Sequence, residues 1–215
     1  MNTIKACIFD LDGVIVDTAK YHYLAWKRLA DELGFDFTRE QNERLKGVSR
    51  MKSLEILCEI GNLTLTDEEK KDLAEKKNTW YREYILKMDK SEILDGVEGL
   101  LNSLKEKDIK IVLGSASKNA MTILKQVDII NYFDAIIDGT KVTHAKPDPE
   151  VFLLGAKAVN VNPKNCIVFE DAKAGIEAAK RANMYVIGIG SKKDLKDADK
   201  VISGLDKISV DDLSI

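Results

Sequence analysis

The sequence predicts an α/β fold: a Rossmann-like core built on a parallel sheet, with a helical domain inserted after the first strand. Three observations predict it. Short β-branched runs recur between amphipathic helical segments, the alternation that builds a parallel sheet covered on both faces. From about Thr18 to Asp89 there are helix signals and no convincing strand. The 215 residues suffice for one large domain or for a domain with a sizeable insert. The expected boundaries are 1–16 and 93–215 for the α/β core and 17–92 for the insert.

Each element has its own signal. Thr3–Phe9 reads as a buried strand. The insert follows a linker near Asp17. Its first helix, Ala19–Leu33, stacks Ala25, Leu29 and Leu33 at i+4. Thr38 with Gln41 and Thr66 with Glu69 are capping boxes, each opening a further helix. A second linker near Glu92–Gly96 returns to the core. There Val97–Lys107 carries Leu100, Leu101 and Leu104 on one helical face, and Asn119–Val127 carries Ala120, Ile123 and Leu124. Ile109–Leu113, Ala135–Ile137, Cys166–Phe169 and Tyr185–Ile189 are the remaining strands. Asp148 is placed as the N-cap and Pro149 as the first residue of a helix running through Val151, Phe152, Leu154 and Ala158. The tail after Val201 is weakly patterned and is expected to finish the core without adding chemistry.

Composition narrows the function. A content of 45% hydrophobic and 32% charged residues is that of a soluble globular protein. A net charge of -3 gives no general attraction to nucleic acid or to an anionic membrane, so any phosphate affinity must be local. Asp10 interrupts the N-terminal apolar run before it could act as a signal segment. No later run approaches the roughly 18 apolar residues of a membrane span. Cys7, Cys58 and Cys166 are odd in number and lack metal-type spacing, and Cys7 and Cys166, inside apolar strand-like runs, read as small buried side chains of a reduced chain. A cytoplasmic monomer with neither nucleic-acid nor membrane partner is expected.

In an open parallel sheet the ligand lies beyond the carboxyl ends of the strands. The first strand ends in Asp10-Leu11-Asp12-Gly13, the next in Gly114-Ser115-Ala116-Ser117-Lys118-Asn119, and a later one in Glu170-Asp171 followed by Gly175; Lys146-Pro147 occupies a loop between them. Asp-x-Asp-Gly alone is only a polar turn closing a strand. With Ser115, Lys146 and Glu170-Asp171 in order, it becomes a site. Asp10, Asp12, Glu170 and Asp171 then converge on one edge, and carboxylates this close need a compensating cation. A hard divalent ion such as Mg²⁺ suits oxygen donors, and Lys146 adds a fixed positive charge. Such a site neutralises a phosphoryl group while Asp10 attacks it as nucleophile. Asp12 serves as acid and then base, a role typically worth about 10²–10⁴-fold. Lys146-Pro147 can take the cis form, which proline makes accessible.

The set Asp10-Leu11-Asp12-Gly13-Val14, Ser115, Lys146-Pro147 and Glu170-Asp171-x-x-x-Gly175-Ile176 resembles the four motifs of the haloacid dehalogenase superfamily. The helical insert resembles the C1 cap domain of that superfamily. Three further segments resemble its β-phosphoglucomutase branch: Asp17-Thr18-Ala19-x-Tyr21-His22-x-x-Ala25-Trp26, Leu45-Lys46-Gly47-Val48-Ser49-Arg50 and Ser115-Ala116-Ser117-Lys118-Asn119. That branch interconverts β-glucose 1-phosphate and β-glucose 6-phosphate through a bound 1,6-bisphosphate. The resemblance implies that Asp10 becomes an aspartyl phosphate and that Asp12 also offers its main-chain carbonyl to Mg²⁺. It further implies Asp171 as a carboxylate ligand with Glu170 beside it, Ser115, Ala116 and Lys146 as phosphate contacts, and Thr18 as a hinge. His22, Trp26, Gly47, Val48, Ser49, Arg50, Ser53, Lys77, Ser117, Lys118 and Asn119 are implied as substrate contacts. The chain departs from the pattern at Gly114, where alanine is expected, at Ala145-Lys146 and at Asp138-Gly139-Thr140.

A mutase needs a second phosphate clamp away from Asp10. Arg50 can supply a bidentate fork, and Ser117, Lys118 and Asn119 sit where a helix is expected to begin. One clamp from each domain closes the cap and excludes water, which would otherwise hydrolyse the aspartyl phosphate. Alone, Arg50 is a solvated charge, Ser117 an N-cap, and Lys77 a solvated lysine. His22 and Trp26 share a helix face and read as packing; with the resemblance, His22 bonds near Asp12 on closure. A sugar-phosphate phosphatase with the same aspartyl chemistry is the alternative, and a non-catalytic phosphosugar sensor a third reading.

Overall fold

The computed structural model of the chain describes residues 3–45 and 48–213. Among them six strands form one parallel sheet: β1 (Ala6–Phe9), β2 (Lys110–Gly114), β3 (Ala135–Ile137), β4 (Cys166–Glu170), β5 (Tyr185–Ile189) and β6 (Lys200–Ile202). They run in the order β3-β2-β1-β4-β5-β6. The open parallel α/β core is thus as expected. The sixth strand is an addition: its edge position leaves it short and half exposed, so no apolar run announces it.

Alternation within the strands divides the core between the two faces. Cys7, Phe9, Ile111, Leu113, Ile167 and Phe169 face one side with α5 (Val97–Glu106) and α6 (Ala120–Gln126). Ala6, Ile8, Val112, Cys166 and Val168 face the other with α7 (Glu150–Ala158) and α8 (Lys173–Arg181). All three cysteines are buried and free. Gly114 closes β2 where a side chain would press on Ile8 and Phe152 at about 3.0 Å; glycine at this departure from the family pattern therefore suits the local packing.

Between β1 and α5 the described elements are helical: α1 (Ala19–Glu32), α2 (Arg39–Asn42), α3 (Arg50–Gly61) and α4 (Asp67–Ile85), with short 3-10 turns. Both expected capping boxes form, at Thr38 and Thr66. Helices α1, α3 and α4 pack on one another around Trp26, Leu29, Leu54, Leu57 and Tyr81. The chain leaves and returns at one point: Asp17 N–H donates to Glu92 O at 3.1 Å, Leu94 N–H donates to Ile15 O at 3.0 Å, and Val16 bridges Ile93 antiparallel. No described helix is long and apolar enough to cross a membrane.

One expected boundary moves. Pro149, not Asp148, holds the N-cap position of α7, while the Asp148 carboxylate accepts from Glu150 N–H at 2.9 Å. The helix therefore begins one residue later than expected, and Asp148 closes the turn ahead of it.

Candidate active site

Register brings the chemistry together. Phe9 pairs with Phe169 across β1 and β4, their rings stacked at 4.6 Å, so Asp10 and Glu170 emerge side by side. Asp10 N–H donates to Phe169 O at 2.9 Å, which holds the turn after β1 against β4. Ser115 leaves β2 beside them, its N–H bonded to Ile137 O and its hydroxyl accepting from Ser117 N–H at 3.1 Å. The Lys146-Pro147 peptide bond is cis.

Lys146 Nζ donates to Asp10 Oδ1 at 2.6 Å and to Glu170 Oε2 at 2.8 Å, with all three groups buried. Burial opposes the Lys146 charge, but the two carboxylates hold the ammonium above its ordinary range. Burial pushes the Glu170 carboxyl up to about 7, against the pull of Lys146. Glu170 Oε1 also accepts from Ala172 N–H at 3.1 Å. Two glycines make this closeness possible. A Cβ at Gly175 would lie 2.0 Å from Glu170 Cδ, and one at Gly13 would lie 2.3 Å from Asp171 Oδ2, with φ at Gly13 +81°.

A carboxylate oxygen from each of Asp10, Glu170 and Asp171 lies within 4.8 Å of the others. The oxygen-only donor set fits a hard divalent cation. Asp12 corrects the expectation of four converging carboxylates. Its carboxylate turns away, accepts from the Thr18 hydroxyl, and lies 4.0 Å from His22 Nε2. Burial, then the charge of Asp10, raises the Asp12 carboxyl to about 6.

Above this floor opens a cavity of about 300 Å³, at the small end of ligand pockets. Asp10, Asp12, His22, Trp26, Val48, Ser49, Arg50, Ser53, Lys77, Ala116, Ser117, Lys118, Asn119, Lys146 and Asp171 all line it. Thr18, Ser115 and Glu170 are buried without lining it. Gly47 lies outside the described residues.

The charges of the upper wall are ordered. Arg50 Nη1 bonds Glu75 Oε2 at 2.9 Å. Lys77, buried, lies 4.5 Å over the Trp26 ring and 4.7 Å over the Tyr81 ring, with its Nζ 3.1 Å from His22 Nδ1. Burial and the neighbouring Arg50 bring the Lys77 ammonium down to about 7. Burial, then Lys77 and Arg50, holds His22 well below its ordinary value, so the imidazole is neutral. Asn78 accepts from Asn119 Nδ2 at 3.0 Å, joining α4 to the loop after β2.

Two further corrections concern the wall. The helix after Ser117 begins only at Ala120 and has seven residues, so residues 117–119 form a turn ahead of it. Their Ser117 hydroxyl accepts from Asn119 N–H at 3.2 Å, and no helix-terminus argument applies to them. Sequence reasoning also passed over Asn42, Glu75 and Tyr81. Tyr81 follows Lys77 by four residues and so shares its helix face, a signal that was available. Asn42 and Glu75 carry none.

Comparison with known proteins agrees with this geometry. The chain is 45% identical over 201 residues to the β-phosphoglucomutase of Bacillus subtilis, covering 93% of this chain and 89% of that one. It is 36% identical to a phosphorylated carbohydrates phosphatase of Thermotoga maritima, covering 84% and 82%. The crystal structure of a β-phosphoglucomutase from Clostridium difficile superposes with a TM-score of 0.93 at 47% identity, covering 97% of this chain and 95% of that one. Residues 7–189, from β1 through β5, match the haloacid dehalogenase-like hydrolase family. With the strand-end carboxylates and the buried lysine of that family in place on its sheet, the chain belongs to the haloacid dehalogenase-like hydrolases.

Proposed function

We propose that this chain is a Mg²⁺-dependent β-phosphoglucomutase, interconverting β-glucose 1-phosphate and β-glucose 6-phosphate through the 1,6-bisphosphate and a phosphorylated Asp10. The observation that carries the reading is one cavity lined by cations from both the core and the insert. Lys146 sits beside Asp10 on its floor, Lys118 comes from the loop after β2, and Arg50 comes from α3 of the insert. A sugar with phosphate at each end can engage cations of both, whereas a monoester hydrolase needs only the floor. The identity to a mutase over nearly the whole chain supports the same choice.

In the forward half-reaction the Asp10 carboxylate attacks phosphorus of the bisphosphate, and the bond from phosphorus to the sugar oxygen breaks. Asp12, its carboxyl raised to about 6, gives its proton to that oxygen; in the return half-reaction it takes one from the other hydroxyl. Lys146 holds the nucleophile and offsets the charge of the transferring group. Ser115 and Ala116 would hold its oxygens. Asp10, Asp171 and the Asp12 main-chain carbonyl would hold Mg²⁺, with Glu170 beside them, and the ion supplies further charge neutralisation at the phosphoryl oxygens. Residues 17–92 act as a cap over a core of 1–16 and 93–215, with Thr18 at the hinge. Closure over both phosphates excludes water, so Asp10 returns its phosphoryl group to a sugar.

The test supplies β-glucose 1-phosphate, Mg²⁺ and a trace of the bisphosphate, and follows glucose 6-phosphate. Inorganic phosphate released at a comparable rate with no isomerised sugar overturns the proposal. The phosphatase reading has the Thermotoga maritima relative in its favour. It expects Arg50→Ala to leave small-ester hydrolysis nearly intact, where the mutase loses most of its isomerisation.

A further inference from the structure

Among the described residues two buried side-chain polar atoms have no hydrogen-bond partner, Asn42 Oδ1 and the Tyr81 hydroxyl. Both residues line the same cavity. Asn42 is 7% exposed and Tyr81 1%, so bulk water does not serve them. Folded proteins satisfy nearly all such groups, because an unpaired buried one is costly. Other polar side chains around this cavity are engaged: Asn78 with Asn119, Lys77 with His22, Thr18 with Asp12, and Lys146 with Asp10 and Glu170. Two fully buried polar atoms that line this cavity are thus left without a partner.

The chemistry of the two atoms limits what can meet them. An amide oxygen only accepts, so it repels a phosphate oxygen and pairs with an O–H donor. The Tyr81 hydroxyl lies beside the Thr18 hydroxyl, whose one proton goes to Asp12, and near the Asp12 carboxyl itself, which disfavours an anion there too. Its ring stacks on the His22 ring at 4.1 Å and carries the Lys77 ammonium 4.7 Å from its centroid, so the hydroxyl is held in place. A neutral polyol meets both requirements.

We infer that Asn42 and Tyr81 are the contacts for ring hydroxyls of the bound sugar, and that they set which hexose phosphate the chain accepts. The inference rests on the mutase reading and deepens it: the cationic residues take the phosphates, and these two neutral groups take the ring between them. A site built to bond a hydroxyl discriminates strongly against an analogue that lacks it.

The test uses Tyr81→Phe and Asn42→Leu in the full chain. It measures kcat/KM for β-glucose 1-phosphate and for its 2-, 3- and 4-deoxy analogues, together with the melting temperature. Each variant should lose about 10- to 100-fold in kcat/KM on the parent sugar, the scale of a lost bond to a buried group. Each should also lose the preference for the parent over one deoxy analogue. Tyr81→Phe should melt no lower than wild type, since it deletes an unpartnered hydroxyl. Wild-type preference retained in both variants overturns the inference, as does a lowered Tyr81→Phe melting temperature with activity falling in proportion. A wild-type chain that isomerises no hexose phosphate instead overturns the mutase reading beneath it.

Discussion

The wild-type chain should gain stability between pH 7 and pH 9, and replacing Lys77 with methionine should abolish that rise. Lys77 is 3% exposed, and its close polar contact is the neutral His22 ring. Two aromatic faces hold the ammonium, an attraction worth about 2 kcal/mol when desolvated, which is less than the hydration it gives up. Its pKa falls to about 7 from 10.5, through burial first and the charge of Arg50 second, with Asp12 pulling the other way. The sign follows from proton counts. Between these two values the unfolded chain keeps a proton that the folded chain has released, so folding becomes more favourable as pH rises. At about 1.36 kcal/mol per pH unit for a full proton, and with Lys77 half-protonated at the start, the gain from pH 7 to pH 9 is about 2 kcal/mol. Methionine fills the slot with no charge to bury. Urea denaturation of both proteins at the two pH values, with the m-value compared, measures the difference. If the two profiles run parallel, Lys77 does not titrate in this window and the electrostatic account of the upper wall is wrong.

Three other outcomes are expected. Gly175→Ala places a methyl on the Glu170 carboxyl and should lower phosphoryl transfer by at least about 10²-fold while the chain stays folded, the scale set by misplacing a reacting group by about 1 Å; circular dichroism and turnover check it. Asp12→Asn should cost about 10²–10⁴-fold in kcat. It should also remove the acid limb below pH about 6, because Asp12 must be ionised to accept a proton and is increasingly protonated as pH falls through that value. Asp171→Asn removes a carboxylate from the cluster with Asp10 and Glu170, and should raise the Mg²⁺ concentration for half-maximal activity by at least about tenfold, the lower scale of a weakened metal site. A magnesium titration of turnover reads it.

The core was legible wherever a strand is buried on both faces. Ala6–Phe9 and Cys166–Glu170 are continuous apolar runs ended by an acid, and both the run and its end are visible in the sequence. Lys200–Ile202 was not, because an edge strand buries too little to need such a run. The floor residues Asp10 and Glu170 could be placed from strand ends, and Lys146 from the Lys-Pro loop between them. The direction of the Asp12 side chain could not, since it is settled by Thr18, six residues on. Asn42 stayed hidden for another reason. A polar residue on a helix looks solvated until the packing of α1, α3 and α4 has closed around it.

The meeting of Asp17 with Glu92 and of Ile15 with Leu94 has an evolutionary consequence. A segment that enters and leaves through one doorway can drift, or be exchanged for another, without moving the strand ends below it. Reaction chemistry and substrate choice are then inherited as separate modules. A lineage built this way can keep one floor and change its trade by altering the roof, and the likeness of this chain to both a mutase at 45% and a phosphatase at 36% identity accords with that.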